Sequence, residues 1–384
     1  MSAFHPDFKI GVLGGGQLGR MMIQSAIDFN FNVHSLDPDP NAPCKDIATT
    51  FTVGKLTDYE AVYAFGQDKD LITIEIENVN TEALKQLEKE GKKVYPQPRV
   101  IELIQNKLVQ KQFYEDNGIP TSPFKATADK AAVMAENDFL PFVNKLETGG
   151  YDGRGVELIR SKADLENAFD APGFVEKLVD FEKEISVIVA RNEQGETKTF
   201  PTVEMVFHPV HNLVEYLFSP AQISDEIEQK AQAIAHKVIE KLDMVGLLAI
   251  EMFVTRDGEV LVNEMAPRTH NSGHQSIEGN VTSQFEQHLR AILNLPLGAT
   301  DNVIPSAMVN LLGEDGFTGN AIYEGMAMLL ATDGVHVHLY GKKITKPFRK
   351  MGHVTIADHD VARLKEKAKF VKAQLKIKAK LWPR

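Results

Sequence analysis

The stretch LLAIEMFVTRDGEVLVNEMA, from Leu247 to Ala266, reads as a β-hairpin folded about Asp257-Gly258. Asp-Gly between two β-rich runs signals a two-residue turn, and centring the turn there sets Glu251 directly opposite Glu264. Like charges facing each other across a ladder destabilise it. The pair is best explained by a cation between the carboxylates, and Mg²⁺ carrying substrate phosphates is the usual occupant of such a site. The plain alternative is a solvated hairpin face with both glutamates spread into water. Apolar residues on both strands (Ile250, Met252, Phe253, Val262 and Met265) argue against it, because they mark a sheet packed on something.

Toward the C-terminus the hairpin runs straight into Ala266-Pro267-Arg268-Thr269-His270-Asn271-Ser272-Gly273-His274. A cation, two imidazoles, an amide and hydroxyls with almost no apolar content suit a site better than a core. Toward the N-terminus lies a second informative stretch, Thr148-Gly149-Gly150-Tyr151-Asp152-Gly153-Arg154-Gly155, between runs that read as strands (Phe139 to Leu146 and Val156 to Ile159). Its glycines let backbone N–H groups approach phosphate oxygens, and Arg154 can neutralise charge. No Gly-Lys-Ser/Thr follows, so it is not a Walker loop; a flexible hairpin tip is the plain reading. Lys145, just before the loop, and Lys107, on a helix read from Val100 to Asn117, are candidate phosphate cations. Glu176-Lys177-Leu178-Val179 reads as an exposed strand edge able to offer backbone groups to an adenine ring, with a carboxylate, Glu184 among them, for the ribose hydroxyls.

The chain opens strand, glycine turn, helix, strand, with Gly14-x-Gly16-x-x-Gly19 at the turn and Asp37 where an acid would hold a ribose hydroxyl. Alone this predicts an NAD-dependent oxidoreductase. Any tight βα turn favours glycine, however, and a helix N-terminus accepts any anion; that reading also leaves Glu251, Glu264 and the second glycine loop unused.

At 384 residues the chain calls for two or three domains. Hydrophobic content of 43% and charged content of 25% are globular values. The lone cysteine, Cys44, excludes an internal disulfide framework and a thiolate zinc site. No apolar run is long enough to span a membrane and no signal-peptide core opens the chain, so a cytoplasmic protein is expected. A net charge of -11 argues against general affinity for nucleic acid. The exception is Val361 to Arg384, with nine Lys/Arg against one acid, where Leu364, Ala368, Val371 and Leu375 follow helical spacing and predict a surface helix with a solvated basic face. Breaks at Pro96 to Pro98 and Leu295 to Gly298 divide the chain into a parallel α/β unit over 1–98, an α+β unit over 99–297 and a small β-rich unit over 298–384.

Glycine loop, strand edge, Glu184 and acidic pair, in that order, resemble the ATP-grasp enzymes. More closely, Gly14-Gly-Gly-Gln-Leu-Gly-Arg20, Thr148 to Gly155, Asn263-Glu-Met-Ala-Pro-Arg-Thr-His-Asn-Ser-Gly-His274 and Arg349-Lys-Met-Gly-His353 resemble the N5-carboxyaminoimidazole ribonucleotide synthetases, ATP-dependent carboxylases of purine biosynthesis. The resemblance spans nearly the whole chain, and the last two motifs are the specific ones. It implies an ATP-grasp architecture with a Rossmann-like N-terminal domain, a central ATP-grasp domain and a small β-rich C-terminal domain. It implies ATP held by Lys107, Lys145, Gly150, Tyr151, Asp152, Gly153, Arg154, Gly155, Val156, Glu176, Lys177, Leu178, Val179, Glu184, Asn263 and Glu264, and Mg²⁺ on Glu251 and Glu264. Gln17, Leu18, Glu75, Asp152, Arg268, Lys342 and Arg349 would hold 5-aminoimidazole ribonucleotide. Tyr151, Arg154, His270, Asn271 and Ser272 would surround the bicarbonate-derived group, and Arg268 would join them as a catalytic residue. A homodimer and a functional hand-off to the mutase that uses the product are implied too, with no nucleic-acid or membrane partner. His208 and His211 stay unassigned. Many ATP-grasp relatives carry a metal-binding asparagine where this chain has Ala266, and on an ideal strand Asn263 would face away from Glu264. The nearest rival is another ATP-grasp ligase, such as the formate-using glycinamide ribonucleotide formyltransferase; a non-catalytic binding protein would have no need of the bridged carboxylates.

Overall fold

The structure, a computed structural model, describes residues 2–149, 155–207 and 214–380. It opens with a fully parallel five-stranded sheet centred on the strand Lys9–Leu13, flanked by Asn32–Asp37 and Leu71–Ile74 and completed by Thr50–Val53 and Lys93–Val94. The central strand is buried on both faces, as parallel strands covered by helices must be. The helix Gln17–Asp28 covers one side through Leu18, Met21, Met22, Ile23 and Ala26. This is the Rossmann-like unit expected from the opening turn.

The run expected as one helix from Val100 to Asn117 is two helices, Pro98–Gln105 and Lys107–Asp116. Asn106 divides them. Its backbone is extended, at φ -113° and ψ 109°, and its side chain accepts the N–H groups of Leu108 and Val109, an N-cap that outcompetes helix continuation. A four-stranded antiparallel sheet follows, with Gly173–Lys177 inside it between Phe124–Thr127 and Phe142–Leu146, and Val156–Ile159 at one side. Gly173–Lys177 is thus internal, not the exposed edge expected from sequence. Beyond it the Lys177 and Leu178 N–H groups bond the carbonyls of Pro123 and Pro141.

The large antiparallel sheet carries Val260–Ala266, Gly246–Thr255, Phe181–Arg191, Val203–Phe207, Val214–Ser219, Ser306–Leu312, Lys350–Ala357 and Val335–Leu339 in that order. One face buries Ile185, Val187, Val189, Ile250, Met252, Val262 and Met265 against the helix Asp225–Leu242. Alternation then puts Glu184, Ser186, Glu251 and Glu264 on the other face. The sheet runs without interruption from the central region into strands after residue 298. The C-terminal helix, Val361–Gln374, buries Leu364, Ala368 and Val371 as its spacing predicts. It is shorter than expected: Leu375 ends it, and Lys376–Ala379 becomes a strand paired with Gly319–Glu324.

Candidate active site

The hairpin sets Glu251 opposite Glu264, as read from sequence, by a different route. The turn is not a two-residue one. Thr255 N–H bonds the Glu259 carbonyl and Gly258 N–H bonds that of Thr255, so Arg256, Asp257 and Gly258 form a three-residue loop with Gly258 at φ +83°. That shifts the ladder so that Met252 faces Val262. A bulge then places Asn263 as an extra residue, and Glu251 meets Glu264 again. The bulge also re-aims Asn263, whose Oδ1 accepts from Lys145 Nζ at 3.1 Å.

Lys107 stands at the first position of its helix because Asn106 caps it, and its Nζ lies 2.6 Å from Glu264 Oε2. Burial opposes the lysine's charge, but Glu264 prevails and holds its pKa above the ordinary value. Lys107 in turn holds the Glu264 carboxyl down, while burial and then the charges of Glu264 and Glu184 push Glu251 up. The two carboxyls of the pair are thus pushed in opposite directions. Glu184, on the same face, is raised to about 7 by burial and by Glu264.

Glu176 holds the lysines rather than offering an open carboxylate. It is 4% exposed and bonded to Lys145 at 2.5 Å and Lys111 at 2.9 Å. Burial alone would raise its pKa; the two ammonium groups hold it at about 2. Lys111 belongs to this cluster and escaped the sequence reading, although it lies one helical turn beyond Lys107, where the same helix face recurs. Lys177 points elsewhere, donating to the carbonyls of Phe139 and Leu140. Val156 faces Lys145 across the ladder, and Gly155 closes the hairpin with its carbonyl on Leu146 N–H and φ +73°. Gly150, Tyr151, Asp152, Gly153 and Arg154 lie outside the described residues, as do His208 and His211.

The segment after the hairpin folds over the same face. His270 Nε2 is 3.5 Å from Glu251 Oε1, and its Nδ1 is 2.9 Å from Ser272 Oγ, itself 2.8 Å from Ser186 Oγ. Burial, Arg268 and Lys350 lower the His270 pKa to about 3, so the imidazole is neutral. Arg268 reaches Glu77 at 2.8 Å, tying this segment to the N-terminal sheet. Asn271 pairs with Asn310 from a distant strand. Ser186 and Asn310 carry no local motif and were not legible in sequence; Lys350 lies inside the Arg349 to His353 motif but received no role there.

At the N-terminal turn the chain supplies its own anion. Glu75 accepts the N–H groups of Gly16 at 2.9 Å and Gly19 at 2.8 Å, and Asp37 accepts that of Gly15 at 2.7 Å. A dinucleotide pyrophosphate would compete for those donors, so the NAD reading is set aside. Gln17 and Leu18 head the helix, where backbone N–H groups have no intrahelical acceptor. The Leu18 side chain is buried in the core, which leaves only its backbone for a ligand. A Cβ on Gly341 would stand 3.5 Å from Arg20 Nη1, so the loop bearing Lys342 abuts this helix. Lys342 bonds the Lys350 carbonyl at 2.8 Å and Arg349 that of Ile344 at 2.6 Å.

Family profiles match in three consecutive blocks: a ribonucleotide synthetase preATP-grasp domain over 8–105, an ATP-grasp domain over 112–285 and a phosphoribosylaminoimidazole carboxylase C-terminal domain over 306–367. The N5-carboxyaminoimidazole ribonucleotide synthase of Bacillus subtilis is 39% identical over 91% of this chain and 92% of its own. The crystal structure of the Thermotoga maritima synthetase superposes with a TM-score of 0.90 at 44% identity, covering 97% of this chain and 100% of that one. An Aspergillus clavatus synthase, solved with ADP and 5-aminoimidazole ribonucleotide, gives 0.87 at 34% identity over 96% of this chain and 100% of its own.

Proposed function

The chain belongs to the N5-carboxyaminoimidazole ribonucleotide synthase family of ATP-grasp ligases, and on that premise we propose how its residues divide the reaction. It carboxylates the amine of 5-aminoimidazole ribonucleotide at the expense of ATP, in purine biosynthesis. The observation that carries the division of labour is the convergence of Lys107, Lys145 and Asn263 on the Glu251/Glu264 pair.

Bicarbonate is a poor electrophile, so its oxygen first takes the γ-phosphoryl group of ATP, releasing ADP and forming carboxyphosphate. Phosphoryl transfer asks mainly for positioned cations. Lys107 and Lys145 supply them, and Glu176 with Lys111 fixes where Lys145 stands. Val156, the Leu178–Val179 backbone and Glu184 line the nucleotide, and Gly150 to Gly155 are assigned to ATP with them. Lys177 contributes through its backbone. Two carboxylates on facing strands fit a Mg²⁺ that keeps waters and phosphate oxygens as its other ligands; when bound, that ion neutralises developing phosphate charge. Among the described residues no cluster of three or more acidic, histidine or cysteine side chains forms a fuller cage.

The second half-reaction needs a dry site, because water destroys carboxyphosphate. Neutral His270, Ser272 and Asn271 offer hydrogen bonds to the carboxyl group, with Tyr151 and Arg154 from the loop and Arg268 beside it. The amine of the acceptor attacks this carbon, or CO₂ released from it, and inorganic phosphate leaves. The acceptor lies between the N-terminal turn and the C-terminal unit, its phosphate on the Gln17 and Leu18 N–H groups with Lys342 and Arg349 as cations. Glu75 holds that turn in shape, and Asp152 is assigned to the acceptor as well.

The same reading gives domains over 1–98, 99–297 and 298–384, a homodimer, and a mutase as the next user of the product. No helix among the described residues is long and apolar enough to cross a membrane, and we place the protein in the cytoplasm. The test is ADP release from Mg-ATP with 5-aminoimidazole ribonucleotide, in CO₂-depleted buffer and then with bicarbonate. Release that requires both substrates is expected; release with formate in place of bicarbonate would overturn the carboxylase assignment.

A further inference from the structure

We infer that Asn310, which lies in a different unit from the catalytic segment, is a positioning residue that turns the amide of Asn271 so that it presents an N–H to the bicarbonate-derived group. This rests on the placement of that group beside Asn271 proposed above. The two amides form a reciprocal pair: Asn271 Nδ2 donates to Asn310 Oδ1 at 2.9 Å, and Asn310 Nδ2 donates to Asn271 Oδ1 at 3.0 Å. A symmetrical pair could in principle be read with both amides turned over. The third bond decides the matter, because Asn310 Nδ2 also donates to the Val214 carbonyl at 2.9 Å, and a carbonyl can only accept.

With its amide nitrogen fixed by Val214, Asn310 has spent both N–H groups and shows Asn271 one donor and one acceptor. Asn271 must answer with the complement. Turned over, it would set oxygen against oxygen and N–H against N–H inside a pocket where Asn310 is only 8% exposed. Unmatched buried polar groups of this kind are strongly disfavoured. Asn271 is thereby left with one N–H directed away from the pair, and among the described residues it has no acceptor. The neighbours of Asn271 in the chain, His270 and Ser272, turn toward Glu251 and Ser186. An oriented donor there suits an oxygen of bicarbonate, carboxyphosphate or CO₂; a carbonyl would repel it.

Asn310 sits on the strand Ser306–Leu312, in register with His353, and Val214 opens the strand Val214–Ser219. Neither contributes a group to the reacting atoms. Their effect on the reaction passes through Asn271 alone, and a double-mutant cycle isolates it.

The experiment compares Asn271→Ala, Asn310→Leu, Asn310→Asp and the double variant Asn271→Ala/Asn310→Leu. Bicarbonate is varied at saturating ATP and acceptor, and both the bicarbonate KM and the ratio of ADP to carboxylated product are read. Leu removes the polar pair at nearly constant shape; Asp keeps the shape but has no N–H for Val214 or Asn271, and it supplies the comparison if the Leu variant does not fold. The expected result is a rise of about tenfold or more in bicarbonate KM and excess ADP in each single variant. The ATP KM stays within about twofold, and the double variant is no worse than Asn271→Ala. An Asn310 variant with normal bicarbonate KM and coupling, beside a defective Asn271→Ala, would overturn the positioning role. Multiplying effects in the double variant would overturn it too. A normal Asn271→Ala would instead remove the carboxyl group from this place, and the role of Asn310 with it.

Discussion

Lys107, 2.6 Å away, holds the Glu264 carboxyl down, and Glu251, directly across the ladder, is pushed up by burial and then by the charge of Glu264. On the proposed metal assignment a divalent cation would relieve that asymmetry, and Glu264 would be the more consequential ligand. Glu264→Gln is expected to lower turnover by about two orders of magnitude or more, with circular dichroism and melting close to the parent; near-normal turnover would remove the metal assignment. Glu184 gives a separate signature. Its folded pKa of about 7 lies above the ordinary carboxyl value, raised by burial and by Glu264, so its contribution to stability is full below about 4.5 and is lost as pH rises through 7. Glu184→Gln removes that loss. The variant should melt with the parent at acidic pH and above it at pH near 8, measured without nucleotide; equal melting at both ends would show that Glu184 is not desolvated.

The two elements that aim the site are both irregular. The bulge at Asn263 restores the facing glutamates after the three-residue turn has displaced them, and it turns Asn263 toward Lys145. The interruption at Asn106 starts a new helix at Lys107 and so points its ammonium at Glu264. Asn106→Ala removes the cap, worth about 1 kcal/mol, and favours one continuous helix. The expected outcome is a modest loss of melting temperature together with a raised KM for ATP and an unchanged KM for bicarbonate. An unchanged ATP KM would mean that the cap stabilises the helix without aiming Lys107.

At the scale of the molecule, the segment after the hairpin is held from both sides. Arg268 bonds Glu77 from the N-terminal unit, Asn271 bonds Asn310 from the far strands, and His288, on the helix Gln284–Ile292, meets Thr73 of the N-terminal sheet at 3.0 Å. Burial lowers the His288 pKa to about 4. The unfolded chain takes that proton first, so its contribution is full above about 6.5 and fades as pH falls toward 4. His270, His274 and His353 are lowered by burial as well. These histidines lower the melting temperature between pH 7 and pH 5, against the opposite trend of Glu184, and the pH dependence should be shifted toward greater stability at pH 5 in His288→Gln; parallel curves for the two proteins would show that His288 can be charged in place.

The sequence by itself determined the parallel opening unit, the glycine-rich hairpin, the pairing of Glu251 with Glu264 and the family, because alternation, turn residues and contiguous motifs are local properties of the chain. It determined the carboxylate pair even though it misread the turn, since the expected register and the bulged register coincide at those two residues. Only the tertiary structure decided that Glu176 is a buried anchor for Lys145 and Lys111, that Glu75 fills the N-terminal turn, and that Asn310 orients Asn271. Each of these is a bond between residues far apart in sequence, and no local pattern specifies which buried carboxylate or amide will meet which partner once the sheets have packed.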